Sequence, residues 1–152
     1  MRWIVRPLLF LAALGAAAAC GGDSGPRLTA DEYAAQGNAV CKAGDVKLGE
    51  AGKDLLKDTN TTPEQLAKFF KDHAVPIANE KLDGLAKLRP PAKSKDKAKK
   101  MVAAGRKATK TVGDGLKKSG AAYLQAKAPD PFKDFNDLAK DLKLNDCAGT
   151  TK

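Results

Sequence analysis

Three cysteines are the residues of this 152-residue chain whose type and spacing are best suited to chemistry: Cys20, Cys41 and Cys147. A cysteine sulfur can be acylated, oxidised to a disulfide, or bound to a metal ion. A redox-active or metal-binding pair is the weaker interpretation of Cys41 and Cys147. The chain has no C-x-x-C motif, and His73 is its single histidine.

The residues before Cys20 have the layout of an export signal. Arg2 and Arg6 precede an apolar stretch over 8–19, and small residues lead into Cys20. The stretch is about 12 residues long, shorter than the roughly 20 that a transmembrane helix needs. The layout is similar to the lipobox of bacterial lipoproteins, in which cleavage leaves the cysteine first and its thiol carries a diacylglycerol. It predicts a signal peptide over 1–19 and a Cys20 anchored by acyl chains such as palmitate.

Ordinary signal cleavage is the alternative for the same segment. Ala17-Ala18-Ala19 also satisfies the A-x-A rule, and cleavage there would release a secreted protein that is not anchored. The number of cysteines favours the lipid, because an odd thiol in an exported protein needs an explanation. If Cys20 is lipidated, Cys41 and Cys147 can pair, and the protein lies at the outer face of the cell membrane.

Four helices must position the two remaining cysteines. Apolar residues recur at steps of three and four, and caps or prolines mark the ends. These signals predict helices over about 29–58, 63–88, 94–127 and 131–143, with a kink before Pro76 in the second. We expect an all-α, up-down four-helix bundle of three long helices and one short helix over 29–152. A flexible tether over 20–28 precedes it.

The predicted bundle brings Cys41 and Cys147 to similar heights. The first and fourth helices of an up-down bundle are antiparallel. At 1.5 Å per residue, Cys41 lies roughly 17 Å from the start of the first helix, and the fourth helix returns to roughly 23 Å from that start. We therefore expect a Cys41–Cys147 disulfide.

No other residue set predicts a reaction. His73 and Met101 would differ in height by roughly 12 Å, which is too far for two haem ligands on neighbouring helices. None of the four glutamates lies three residues from His73, as a di-metal carboxylate site would require. Asp137 and Asp141 lie beside lysines, a pattern typical of a solvated face. We expect no enzyme, no cofactor and no metal.

The charge is strongly basic. Loss of residues 1–19 removes Arg2 and Arg6 and lowers the net charge from +9 to +7. The basic residues are not interleaved with aromatic ones, which argues against nucleic acid as the partner. The basic residues of the third predicted helix form a face. This basic face either keeps the helix solvated or docks on an anionic lipid, a wall polymer or an acidic envelope protein. The candidate contacts on the third helix are Lys99, Lys100, Arg106, Lys107, Lys110, Lys117 and Lys118.

Three short patterns resemble those of small actinobacterial-type exported lipoproteins. They are a Tyr…Gln-x-Asn…Cys pattern in the first helix, a Leu-x-x-Leu-Arg-Pro-Pro connection and a terminal Leu…Cys. The resemblance implies a helical architecture and a disulfide, and it brings no activity. The residues that carry it are Tyr33, Gln36, Asn38 and Cys41, then Leu85, Leu88, Arg89, Pro90 and Pro91, then Leu144 and Cys147.

Two functions of different classes follow from these patterns. The first is a non-enzymatic, lipid-anchored interaction module of the cell envelope that uses its basic face. The alternative is a small-ligand carrier with an apolar pocket near the Pro76 kink, between Phe69, Phe70, Ile77 and glycines of the third helix. A sizeable apolar cavity at the kink favours the carrier, whereas a filled core beneath a continuous basic face favours the module. A hydrolytic accessory enzyme is a third and weaker hypothesis.

Overall fold

A computed structural model describes residues 26–57 and 59–149. The predicted signal peptide and Cys20 lie outside the described residues. Within those two ranges the chain is helical and contains no strand. None of the described helices is long and apolar enough to cross a membrane.

The helices keep the predicted order but are more divided than the sequence indicates. The chain forms α1 (Ala30–Ala51), α2 (Lys53–Lys57), α3 (Pro63–Phe69), a π-helical turn (Phe70–Ala74), α4 (Val75–Lys87), a 3₁₀ turn (Ala92–Ser94), α5 (Lys95–Ser119), α6 (Ala121–Gln125) and α7 (Lys133–Asp141).

Two glycines account for the extra breaks. The first helix ends at Ala51, and Gly52 separates it from α2, with Phe69 Cζ only 3.1 Å from where a Cβ of residue 52 would lie. The third predicted helix breaks at Gly120, whose φ of 54° and ψ of −133° suit glycine and few other residues. Both predicted single helices are therefore wrong at their C-terminal ends.

The predicted kink before Pro76 is a π-helical turn. A proline inside an α-helix lacks one N–H and crowds the carbonyl four residues earlier, here that of Asp72. The turn Phe70–Ala74 widens the backbone just before it, and the Val75 N–H donates to the Phe70 carbonyl five residues back. Pro76 then lies in the first turn of α4, where its N–H is not needed. The wider π-helical turn therefore accommodates Pro76, and the helix continues beyond it.

Two pairs of helices pack antiparallel, α1 with α4 and α5 with α7. On α1 and α4, Val40 lies against Gly84, and Gly44 lies four residues later against Lys81. On α5 and α7, Gly105 lies near Phe135, whereas the earlier Lys97 is paired with Asp141 at 2.8 Å. Glycine at these crossings lets the neighbouring side chain fill the space that a Cβ would occupy.

The predicted disulfide between Cys41 and Cys147 is confirmed, with a Cα–Cα separation of 5.1 Å. Asn38, one turn before Cys41, fixes the chain that follows α7. Its amide nitrogen donates to the Lys143 carbonyl at 3.1 Å, and its Oδ1 accepts from the Asp146 N–H at 2.9 Å. The disulfide and these two hydrogen bonds join α1 to the segment that follows α7.

Candidate functional site

A pocket opens where the π-helical turn widens the second helical segment. Its volume is about 640 Å³, within the usual range for sites of small ligands. We call it the kink pocket. It lies between the π-helical turn, α4, α5 and the start of α7. Its walls include Phe70, Ala74, Val75, Ala78, Leu82, Gly105, Thr109, Val112, Phe132, Phe135 and Asn136.

Small residues leave this space open beside large apolar ones. Ala74 and Ala78 face it from the second helical segment, and Phe132 and Phe135 stand at the other side with their ring centroids 6.5 Å apart. At Gly105, a Cβ would meet Leu82 Cδ2 at 2.5 Å and Phe135 Cδ2 at 2.9 Å. The absence of that Cβ allows both large side chains to form the wall.

Few polar groups reach the kink pocket. Asn136 is 7% exposed, and its Oδ1 accepts from the Gly149 N–H at 3.1 Å. Thr109 is 2% exposed, and its hydroxyl has no hydrogen-bond partner within the described ranges. Lys81 and Asp130 also line the pocket. The Lys81 amine is paired with Asp45 at 2.6 Å, and Asp130 Oδ1 accepts from the Phe132 N–H at 2.8 Å. The arrangement can bury an apolar molecule and offer it one or two hydrogen bonds.

The predicted location of the pocket is partly right. Phe70 and Gly105 line it, whereas Phe69 and Ile77 do not. Phe69 instead covers Gly52 and makes an edge contact with Phe70, with ring centroids 6.0 Å apart. Helical periodicity does not show where the pocket opens, because that depends on the rotation at the π-helical turn.

Sequence reasoning missed two polar wall residues. Thr109 and Asn136 each lie directly beside apolar core positions, Ala108 and Phe135. A polar residue on the predicted apolar face of a helix is the signal that could have marked them, because such a residue is either bonded inside the core or exposed to a cavity.

The predicted basic face lies on α5, opposite its buried side. With 3.6 residues per turn, its seven predicted contacts fall within an arc of about 120°. Arg106 is paired with Asp83 at 2.8 Å, and Lys110 is paired with Asp114. The other five are exposed and form no ion pair with another described residue: Lys99, Lys100, Lys107, Lys117 and Lys118.

The remaining chemical candidates are not assembled into a site. His73 is exposed on the π-helical turn, beside Phe69, whereas Met101 is fully buried in the core. Asp137 is paired with Lys133 at 2.6 Å, and this hydrogen bond holds the pKa of its carboxyl below the ordinary value. In the part of the chain that the structure describes, no three histidine, cysteine or acidic side chains are grouped as a metal would require.

No protein-family model, curated protein or solved structure matches this chain. The pocket and the charged surfaces are therefore the grounds for a function.

Proposed function

We propose that this protein is an exported, lipid-anchored binding protein of the cell envelope that carries a small apolar ligand in the kink pocket. The observation that carries the proposal is the apolar space of about 640 Å³ between the π-helical turn, α5 and the two phenylalanines before and within α7. A filled core at this point would have favoured the interaction module alone.

The walls define the class of ligand. Each CH₂ group that leaves water contributes about 0.8 kcal/mol, and Phe70, Phe132 and Phe135 offer apolar surface on two sides. Thr109 and Asn136 add a hydroxyl and an amide at the same wall. These features fit a small, largely apolar molecule with one polar end. An acyl chain or a fused-ring lipid has this chemistry.

A binding role is favoured over catalysis by what surrounds the Thr109 hydroxyl, the only one among the described residues that line the pocket. The Thr109 hydroxyl has no bonded base among the described residues, and the Lys81 amine is held by Asp45. A nucleophile needs a base within hydrogen-bond reach. The proposal is therefore non-enzymatic.

The cellular address is part of the proposal and is supported by the cysteines. Because Cys41 is bonded to Cys147, Cys20 is left as the odd thiol, which an exported protein would use for its lipid. Membership of the actinobacterial-type exported lipoproteins stays a prediction. So does the up-down four-helix topology, which the antiparallel packing supports if α2 and α6 are counted as the ends of α1 and α5.

A neutral fluorophore, N-phenylnaphthylamine, tests the pocket without interference from the basic face. We expect saturable binding to the Cys20→Ser protein, which cannot carry lipid. Ala78→Phe should weaken that binding at least tenfold, because the ring would occupy the pocket. Ala39→Phe adds the same ring at an exposed position of α1 outside the pocket and should change the affinity less than twofold.

Two results would overturn the carrier. One is the absence of saturable binding by the parent protein, and the other is equal affinity in Ala78→Phe and Ala39→Phe. Circular dichroism checks that both variants are folded. If Ala78→Phe does not fold, Ala74→Leu blocks the same wall from the π-helical turn with a smaller side chain.

Electrostatic docking is the second candidate, favoured by the five lysines of α5 that carry no ion pair within the described ranges. Each lysine near an anionic membrane contributes up to about 1 kcal/mol, and salt screens the attraction. Binding of the Cys20→Ser protein to isolated envelope should fall steeply between low and high salt. Salt-independent binding would remove this candidate.

A further inference from the structure

A second pocket lies near the start of the described chain, away from the kink pocket. Its volume is about 580 Å³. The entering chain, α1, the end of α4 and the start of α5 form it together. The Leu28 N–H donates to the Arg89 carbonyl at 2.9 Å, and Arg27 Nη1 donates to the Pro90 carbonyl at 3.3 Å. These two bonds hold the entering chain against the connection that follows α4, and so complete one side of the pocket.

The second pocket is distinguished by its positive charge, and we call this pocket the basic pocket. Among the described residues that line it, none is acidic. Arg106 is paired with Asp83 outside the lining, so part of its charge is balanced, and Arg89 also interacts with another residue. The cations that line the pocket are Arg27, Lys87, Arg89, Lys95, Lys99 and Arg106. Like charges gathered around one space raise the local concentration of anions.

Tyr33 lines the basic pocket and carries a buried hydroxyl. The residue is 2% exposed, and its hydroxyl is without a hydrogen-bond partner in the part of the chain that the structure describes. A buried hydroxyl with no bond is unfavourable, so such a group calls for an explanation. Burial raises the pKa of the Tyr33 phenol, and the group therefore remains a proton donor at neutral pH.

We propose that the basic pocket binds a phosphate group, with the Tyr33 hydroxyl donating to one of its oxygens and Lys99, Lys95 and Arg27 balancing its charge. Phosphate suits this site because its several oxygens can accept from a phenol, from ammonium groups and from a guanidinium fork at once. The phosphate comes either from a free phosphorylated compound or from the headgroup of a lipid.

The position of the pocket makes a lipid headgroup accessible. Arg27 lies seven positions after Cys20, and seven residue steps span at most roughly 25 Å. If Cys20 carries the lipid, the basic pocket is within that distance of the membrane surface. The phosphate site does not depend on the ligand proposed for the kink pocket, so either proposal can fail alone.

Adjacent lysines provide the central test. Lys99 lines the basic pocket, whereas Lys100 is equally basic and exposed but lies outside it. Each is changed to alanine in the Cys20→Ser protein, and titration calorimetry measures binding of inorganic phosphate. Sedimentation measures binding to phosphatidylglycerol vesicles, with phosphatidylcholine vesicles as the uncharged comparison. We expect Lys99→Ala to lose at least threefold in affinity and Lys100→Ala less than twofold.

The tyrosines provide an independent test with a matched pair. Tyr33→Phe removes only the hydroxyl and should lower affinity at least tenfold, as expected for the loss of a hydrogen bond to a charged group. Tyr123→Phe, whose ring lies against Gly115 outside the pocket, should leave affinity unchanged. Circular dichroism establishes that each variant is folded. If Tyr33→Phe is not folded, the comparison of Lys99 with Lys100 decides the proposal.

Binding of either probe with this pattern of losses supports the site, and the probe that binds identifies the phosphate source. Equal losses in Lys99→Ala and Lys100→Ala would overturn it, because they would indicate a diffuse attraction to the whole basic face. Full affinity in a folded Tyr33→Phe protein would overturn the role of the phenol. Failure of both probes to bind at low salt would overturn the whole proposal.

Discussion

Leu144 lies so close to Gly37 that a Cβ at residue 37 would come within 2.4 Å of Leu144 Cδ2. Leu144 is fully buried, and close packing in a protein core leaves such a side chain little room to move. The Gly37 carbonyl lies 3.5 Å from Cys147 Sγ, and Cys41 follows Gly37 by one helical turn. The contact therefore sets the level at which the end of the described chain meets α1.

Gly37→Ala should destabilise the protein. Overpacking a filled core costs about 1–3 kcal/mol, which exceeds the gain of about 0.5–1 kcal/mol from replacing a helical glycine. We expect the free energy of unfolding in urea to fall by about 1–2 kcal/mol.

Gly49→Ala on the same helix is the control. A Cβ at residue 49 meets nothing within 4 Å, so only the helix propensity changes. This variant should be more stable than the parent protein by about 0.5–1 kcal/mol. A Gly37→Ala protein as stable as Gly49→Ala would contradict the tight contact with Leu144.

Loss of the disulfide should be among the largest single effects on stability. The bond joins residues 106 apart, and removing a native disulfide from a small domain costs about 2–5 kcal/mol. The double variant Cys41→Ala/Cys147→Ala should show a markedly lower Tm than the parent. Reductant should lower the Tm of the parent and leave that of the double variant unchanged, and equal sensitivity of the two proteins would argue against the bond.

Asn38→Ala should loosen the segment that carries Cys147. It removes the hydrogen bonds to the Lys143 carbonyl and the Asp146 N–H, with an expected loss of about 1–3 kcal/mol. Hydrogen exchange should report the effect at the Asp146 amide. Gln36→Ala is the control, since that exposed residue makes no hydrogen bond to another described side chain or loop, and an equal loss in both variants would rule out a specific role for Asn38.

Acid should weaken the first capping box. The Thr29 N–H donates to Glu32 Oε2 at 2.8 Å, and this bond lowers the pKa of the Glu32 carboxyl. A lowered pKa in the folded state means stability that is present above the ordinary glutamate value of about 4.3 and lost as the pH falls towards the folded value. The Tm of the parent should therefore fall over that interval by more than the Tm of Glu32→Gln.

Glu64→Gln is the control for this pH effect. Glu64 lies in the first turn of α3, but the capping partner of Thr62 is the neighbouring Gln65. The Tm of Glu64→Gln should change by the same amount as the Tm of the parent between neutral and acid pH. If the Tm of Glu32→Gln and the Tm of the parent fall by the same amount, the hydrogen bond from Thr29 does not contribute to the pH dependence of stability.

Several features of the fold could be predicted because their causes are local. The start of the first helix and the kink before Pro76 each depend on a few neighbouring residues, and the structure confirms both. The disulfide needed one further step, a comparison of heights along antiparallel helices. The breaks at Gly52 and Gly120 were missed because glycine within a helix is also compatible with close packing, as Gly44 and Gly105 show.

The sequence by itself determined the helical class, most helix ends and the pairing of Cys41 with Cys147, because periodicity, caps and the number of thiols are read along one chain. Only the tertiary structure decided which faces meet. Thr109 and Asn136 share the kink pocket, and Tyr33 and Lys99 share the basic pocket. Which residues line the same pocket depends on the rotation of each helix about its axis and on the π-helical turn. Such rotations are set by packing between helices, and no short stretch of residues encodes them.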